Sequence, residues 1–142
     1  MRRVVVVALA GWLGLVQGAV AQEPRYDAAT QSCRPHRQGV IDRQWQMSAP
    51  RNPLRIGQPI AVGLREKYAG AGQRRLVRAR IVGAATLLES KAVAMVDDNY
   101  ASVEFPRDFR PTQALGPGAY TVLWLLAEGG GGFLACDGFV IR

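Results

Sequence analysis

Histidine, cysteine and recognisable catalytic motifs are what this chain has least of. One histidine, His36, and two cysteines, Cys33 and Cys136, occur in 142 residues. No Gly-x-Ser-x-Gly turn surrounds any serine, so no serine nucleophile comes with the sharp turn and the base that would activate it. The glycine run Gly129–Gly132 is followed by Phe133 and by no Lys-Ser/Thr pair, which excludes a phosphate-cradling loop. Aromatic residues are few and are not interleaved with the basic ones. A stacking platform for single-stranded nucleic acid is thereby excluded, and nucleic acid is not an expected partner. No internal repeat is visible, and no cofactor is expected.

Long apolar runs are also missing, with one exception. Arg2 and Arg3 precede an apolar stretch from Val4 to Val16, and Ala19-Val20-Ala21 closes it. These are the three regions of a secretory signal peptide, predicted over 1–21. The run is about 13 residues long, short of the roughly 20 that span a bilayer as a helix. No cysteine precedes Cys33, so a lipoprotein-type attachment site is absent. The mature chain is expected to begin near Gln22, outside the cytoplasm (periplasmic or secreted), with no integral membrane segment once the leader is removed. About 120 residues then remain, enough for one domain with its own core.

What the chain has in abundance is arginine. Of the 16 basic residues beyond residue 21, 14 are Arg, a usage typical of GC-rich bacterial coding. The charge is unevenly placed. Residues 25–80 carry 12 basic and 3 acidic groups, whereas residues 81–142 carry 4 basic and 7 acidic ones. Such a gradient steers an anionic partner to one surface, unless strands of both halves interleave and the charge merely solvates the fold.

Hydrophobic periodicity points to strands. Residues 22–41 are polar and irregular, and read as an N-terminal arm. Arg43–Ser48 alternates weakly, with Trp45 and Met47 on one side. Ile60, Val62 and Leu64 alternate with Ala61, Gly63 and Arg65, the pattern of a half-buried strand. Leu76–Val82 repeats it, with Val77, Ala79 and Ile81 inward and Arg78 and Arg80 outward. Ala84–Val96 suits helix or strand, and its surroundings favour strand. Asp97-Asp98-Asn99 signals a turn, and Tyr100–Phe105 puts Ala101, Val103 and Phe105 on one face. Pro106–Pro117 reads as a loop. Ala119–Ala127 is apolar on both faces, as a central strand is, and Phe133–Ile141 returns beside it as a hairpin partner. The prediction is all-β: an immunoglobulin-like β-sandwich of about seven strands over 42–142.

The segment Leu115-Gly116-Pro117-Gly118-Ala119-Tyr120-Thr121-Val122-Leu123-Trp124, followed by a glycine-rich turn and Gly138-Phe139-Val140-Ile141, resembles the closing hairpin of immunoglobulin-like bacterial envelope domains. Small periplasmic copper-binding proteins of the CopC type have a similar ending. The resemblance covers roughly 28 residues and implies a tyrosine corner, with the Tyr120 hydroxyl bonding back to the preceding loop. It does not extend to the copper ligands, because those proteins begin the mature chain with a histidine and this one begins near Gln22.

Three chemistries compete for the remaining residues. Cys33 and Cys136, an isolated pair in an oxidising compartment, are most simply one disulfide pinning the arm to the last strand, with Trp124 packed near it. Left unpaired, they would join His36 as soft ligands for copper or zinc, although no fourth ligand is evident and Arg34 and Arg37 oppose a cation. A thiol nucleophile beside His36 would need the same unpaired state. Asp97 and Asp98 offer oxygens to calcium but are explained by the turn, and a glycosidase pair from Glu89, Glu104 or Asp108 has no distinguishing spacing. Trp45 is either a platform for a sugar ring or an edge-strand anchor. The leading expectation is a non-catalytic binding module. Arg74, Arg75, Arg78, Arg80 and Trp45 are its candidate binding residues, and an anionic envelope polymer or a protein is its partner. A metal-handling protein and a small carboxylate hydrolase are the alternatives.

Overall fold

The computed structural model describes residues 23–35, 44–68, 74–96 and 99–142. The predicted leader, His36, Arg37, Arg43 and the Asp97–Asp98 pair lie outside the described residues. Among the described residues eleven strands follow in chain order: β1 (Arg25–Asp27), β2 (Ser32–Arg34), β3 (Trp45–Ser48), β4 (Ile60–Glu66), β5 (Leu76–Gly83), β6 (Thr86–Ser90), β7 (Val93–Ala94), β8 (Tyr100–Phe105), β9 (Phe109–Arg110), β10 (Gly118–Leu126) and β11 (Phe133–Ile141). The fold is an all-β sandwich. One sheet has the order β11-β10-β5-β6-β9, with β7 also on β5, and the other has the order β3-β4-β8.

The alternation in the sequence becomes the core. Val77, Ala79 and Ile81 of β5 are fully buried, as are Val103 of β8 and Val122 and Trp124 of β10. Those of β5 and β10 meet Val103 and, beside it in the other sheet, Ile60, Val62 and Leu64 of β4 in one apolar cluster. β10 runs between β11 and β5, paired along both edges, and it is buried on both faces, with Val122 and Trp124 on one and Leu123 and Leu125 on the other, which is why its sequence is apolar throughout. The Tyr120 hydroxyl donates to the Gly116 carbonyl at 2.8 Å, the corner geometry that the closing hairpin implied. At the β10–β11 tip, Gly129, Gly130 and Gly131 all have positive φ (65°, 91° and 73°), a run that side-chain-bearing residues seldom adopt.

The ambiguous stretch 84–96 is strand, in two pieces. Glu89 faces Arg80, but Val93 faces Val77, so one extra residue is accommodated between them as a bulge. Ser90 repairs the gap: its Oγ accepts the Ala79 amide at 2.9 Å and donates to the Lys91 carbonyl at 2.8 Å.

Two expectations are corrected. The arm is not irregular where it is described, because β1 and β2 pair as an antiparallel hairpin lying on the outer face of β10 and β11. The Tyr26 amide donates to Thr121 Oγ1 at 2.9 Å. A Cβ at Gly138 would collide with the Tyr26 side chain, so glycine there admits the hairpin. The supposed loop Pro106–Pro117 contains β9, whose Phe109 is fully buried.

Candidate functional site

Pro106–Arg110 carries the chain from β8 in one sheet to β9 at the edge of the other, and this crossing builds a cleft of about 550 Å³ with the β6 bulge. Its walls are Glu89, Ser90, Lys91, Arg107, Asp108 and Arg110. Asp108 locks the crossing. Its Oδ2 accepts the Glu104 amide at 2.8 Å, its own amide donates to the Glu104 carbonyl at 2.8 Å, and its carbonyl accepts the Lys91 amide at 2.8 Å. The carboxylate is 3% exposed and lies 2.9 Å from Arg107 Nη2 and 3.1 Å from Lys91 Nζ. Those two cations remain 66% and 64% exposed. Their chains are held at one point and most of their donors face solvent.

Glu89 is the second hub. Arg80 Nη2 donates to its Oε1 at 2.7 Å, and Arg78 Nη1 to its Oε2 at 3.4 Å. Register places Arg80, Glu89 and Arg110 side by side across β5, β6 and β9. Arg110 donates to the Phe109 carbonyl at 2.7 Å, and among the described residues it has no carboxylate partner. Four cations are thus gathered on the two carboxylates, Arg78 and Arg80 on Glu89 and Lys91 and Arg107 on Asp108, and Arg110 stands beside Glu89 in register. Glu23 lies 3.9 Å from Arg80, and Glu104 adds to the field at Arg107.

The protonation of the two carboxylates limits the chemistry. The Arg107 hydrogen bonds hold Asp108 well below the usual carboxylate range, aided by the Glu104 amide and by Lys91. The Arg80 guanidinium likewise lowers Glu89, against a smaller opposing effect of burial. A general acid at neutral pH needs a raised pKa. Glu89 and Asp108 share a cleft, yet each is fixed as an anion and has no proton to give.

Of the predicted binding residues, the structure brings Arg78 and Arg80 together and separates them from the other three. Arg75 pairs with Glu66 at 3.1 Å and lies over the Trp45 ring, 5.7 Å from its centroid. Arg74 is exposed beside it, lining a separate cleft with Glu128 and Gly129. Of the two readings of Trp45, the structure has the edge-strand anchor and not the exposed sugar platform. It is 4% exposed, because it faces inward opposite Glu66 on β4 and Arg75 closes over it.

The cysteines form the Cys33–Cys136 disulfide, with Cα atoms 6.1 Å apart. Bridged, they hold no thiolate for a metal or a substrate. Trp124, expected near the bridge, faces away from it: Cys136 pairs with Leu123, and Trp124 with Ala135 on the opposite face. Lys91, Arg107 and Arg110 were missed as site residues because they belong to the half of the sequence with net negative charge. The signal available was the pair Arg107-Asp108 inside a proline-bounded segment.

No family model, curated protein or solved structure matches the chain. The site therefore stands on its own geometry.

Proposed function

We propose that this chain is an exported, non-catalytic binding module of immunoglobulin-like build that holds an anionic envelope polymer or protein partner. The observation that carries the reading is the set of cations fixed on Glu89 and Asp108 around an open cleft. An arginine has five donors in a planar fork, and Arg107 spends two of them on Asp108. The rest are positioned in advance, so less rotamer entropy is lost when an anion arrives. Export is supported by the leader-like sequence of 1–21 and by the disulfide, which fits an oxidising compartment. Among the described residues no helix is long and apolar enough to cross a membrane. The two ionised carboxylates favour binding over hydrolysis.

The test is titration with polyphosphate, a polyanion without apolar groups. Lys91→Gln combined with Arg110→Gln is expected to weaken binding at least tenfold, while Arg74→Gln leaves it within twofold. Equal loss from Arg74→Gln would move the site toward the cleft of Arg74, Glu128 and Gly129, and no binding by the wild-type protein would overturn the proposal.

A further inference from the structure

A second cavity, of about 280 Å³, opens at the end of the sandwich where β4 begins. Its floor is the core itself: Ile60, Phe105, Leu115 and Ile141 are all less than 8% exposed. Ile56 stands at its rim, 59% exposed. Among the described residues no charged side chain lines the cavity. For scale, an apolar cavity of about 150 Å³ is known to accept benzene, so this one has room for a longer hydrocarbon.

The cavity is not independent of the charged cleft. Phe105, Pro106, Thr112 and Gln113 line the apolar space, whereas Arg107, Asp108 and Arg110, between them in sequence, line the cationic one. Phe109, fully buried, pins the middle of this segment to the core. One stretch of nine residues is therefore a shared wall, apolar at its Phe105-Pro106 end, uncharged at its Thr112-Gln113 end and charged in its centre. Pro106 and Arg107 are chain neighbours, and adjacent Cα atoms are never more than about 3.8 Å apart. A ligand with an anionic head a few bonds from an alkyl chain matches that spacing.

We infer that the two cavities form one bipartite site, with the alkyl chain of an anionic amphiphile in the pocket of Ile56, Ile60, Phe105, Leu115 and Ile141 and its head on Lys91, Arg107 and Arg110. This rests on the anion-binding reading above and specifies the ligand class. Ligand sites combine a mostly apolar enclosure with a few fixed polar groups, and here Lys91 and Arg107 are held in place by Asp108 and Arg110 by the Phe109 carbonyl. A partner's apolar side chain or an uncharged lipid tail would use the pocket without the cleft, and the experiment separates these cases.

The probes are dodecyl phosphate below its critical micelle concentration, dodecyl maltoside, inorganic phosphate and polyphosphate, each titrated calorimetrically into the mature protein. Dodecyl phosphate is expected to bind at least tenfold more tightly than inorganic phosphate and than dodecyl maltoside. Ala114→Trp, which fills the pocket from an exposed position, should cost dodecyl phosphate at least tenfold and leave polyphosphate unchanged. Ile56→Glu, at the exposed rim, should do the same and serves if Ala114→Trp does not fold. If polyphosphate binds but dodecyl phosphate is no tighter than inorganic phosphate, the amphiphile inference is wrong and the anion site stands. Equal affinity for dodecyl maltoside would also overturn it, since the head would then play no part. If neither polyphosphate nor dodecyl phosphate binds, both readings fall.

Discussion

Asp108 shows how a single residue serves the fold and the surface together. Its carboxylate accepts a backbone amide, two cations neutralise it, and little of it reaches water. A depressed carboxylate contributes stability that is present above its unfolded pKa and is lost as the pH falls toward its folded one. Glu89 is displaced in the same direction. Stability measured by urea unfolding is therefore expected to decline as the pH drops below about 4, and Asp108→Asn should flatten that decline. At neutral pH, Asp108→Ala also strands the Glu104 amide, at an expected cost of about 1–3 kcal/mol. An unchanged pH profile in Asp108→Asn would contradict this role. Gly138 offers a second test on this scale. Gly138→Ala pushes a methyl group into Tyr26 and into the neighbouring β10 backbone, and is expected to cost about 1–3 kcal/mol. In a Tyr26→Gly background the cost should shrink by at least about 0.5 kcal/mol, the coupling expected of residues in direct contact.

Among the elements, legibility followed length and period. Tyr100–Phe105 and Phe133–Ile141 have the boundaries that the sequence indicated, Leu76–Val82 is extended by one residue at its end, and Ala119–Ala127 is shifted by one residue at both ends. The β1–β2 hairpin and β9 were illegible because strands of two or three residues have no period to read. Their order comes from distant contacts: Tyr26 with Thr121 and Gly138, and Cys33 with Cys136. Trp45 misled for a similar reason. Its sequence neighbours are polar, while the Arg75 that covers it lies thirty residues away. The disulfide closes a segment with a sequence separation of 103, which on the chain-entropy model stabilises by about 4–5 kcal/mol. Replacing both cysteines with Ser should lower the urea-unfolding free energy by roughly that amount. It should also make the β1–β2 hairpin the first site of proteolysis. A protein cleaved elsewhere first would show that the hairpin docks without the bridge.

For the whole molecule, the uneven charge of the sequence does not persist as two surfaces. β5, from the basic half, pairs with β6 and β10 from the other half, so Arg78 and Arg80 meet Glu89 and much of the gradient is cancelled by pairing. One local concentration of charge is the cleft at the β6–β9 edge, where Lys91, Arg107 and Arg110 stand with Glu89 and Asp108. That outcome could not be read from residue counts, because it depends on which strands become neighbours. The interaction is expected to weaken with salt, since exposed charges are screened over about 10 Å at 0.1 M.

The most direct measurement is a backbone amide NMR titration of the mature protein with polyphosphate at low ionic strength. Shifts are expected to concentrate in Glu89–Lys91 and Arg107–Arg110, and to vanish as salt is raised. Shifts confined to Arg74–Leu76 and Glu128–Gly129, or none at all, would contradict the assignment of the anion site.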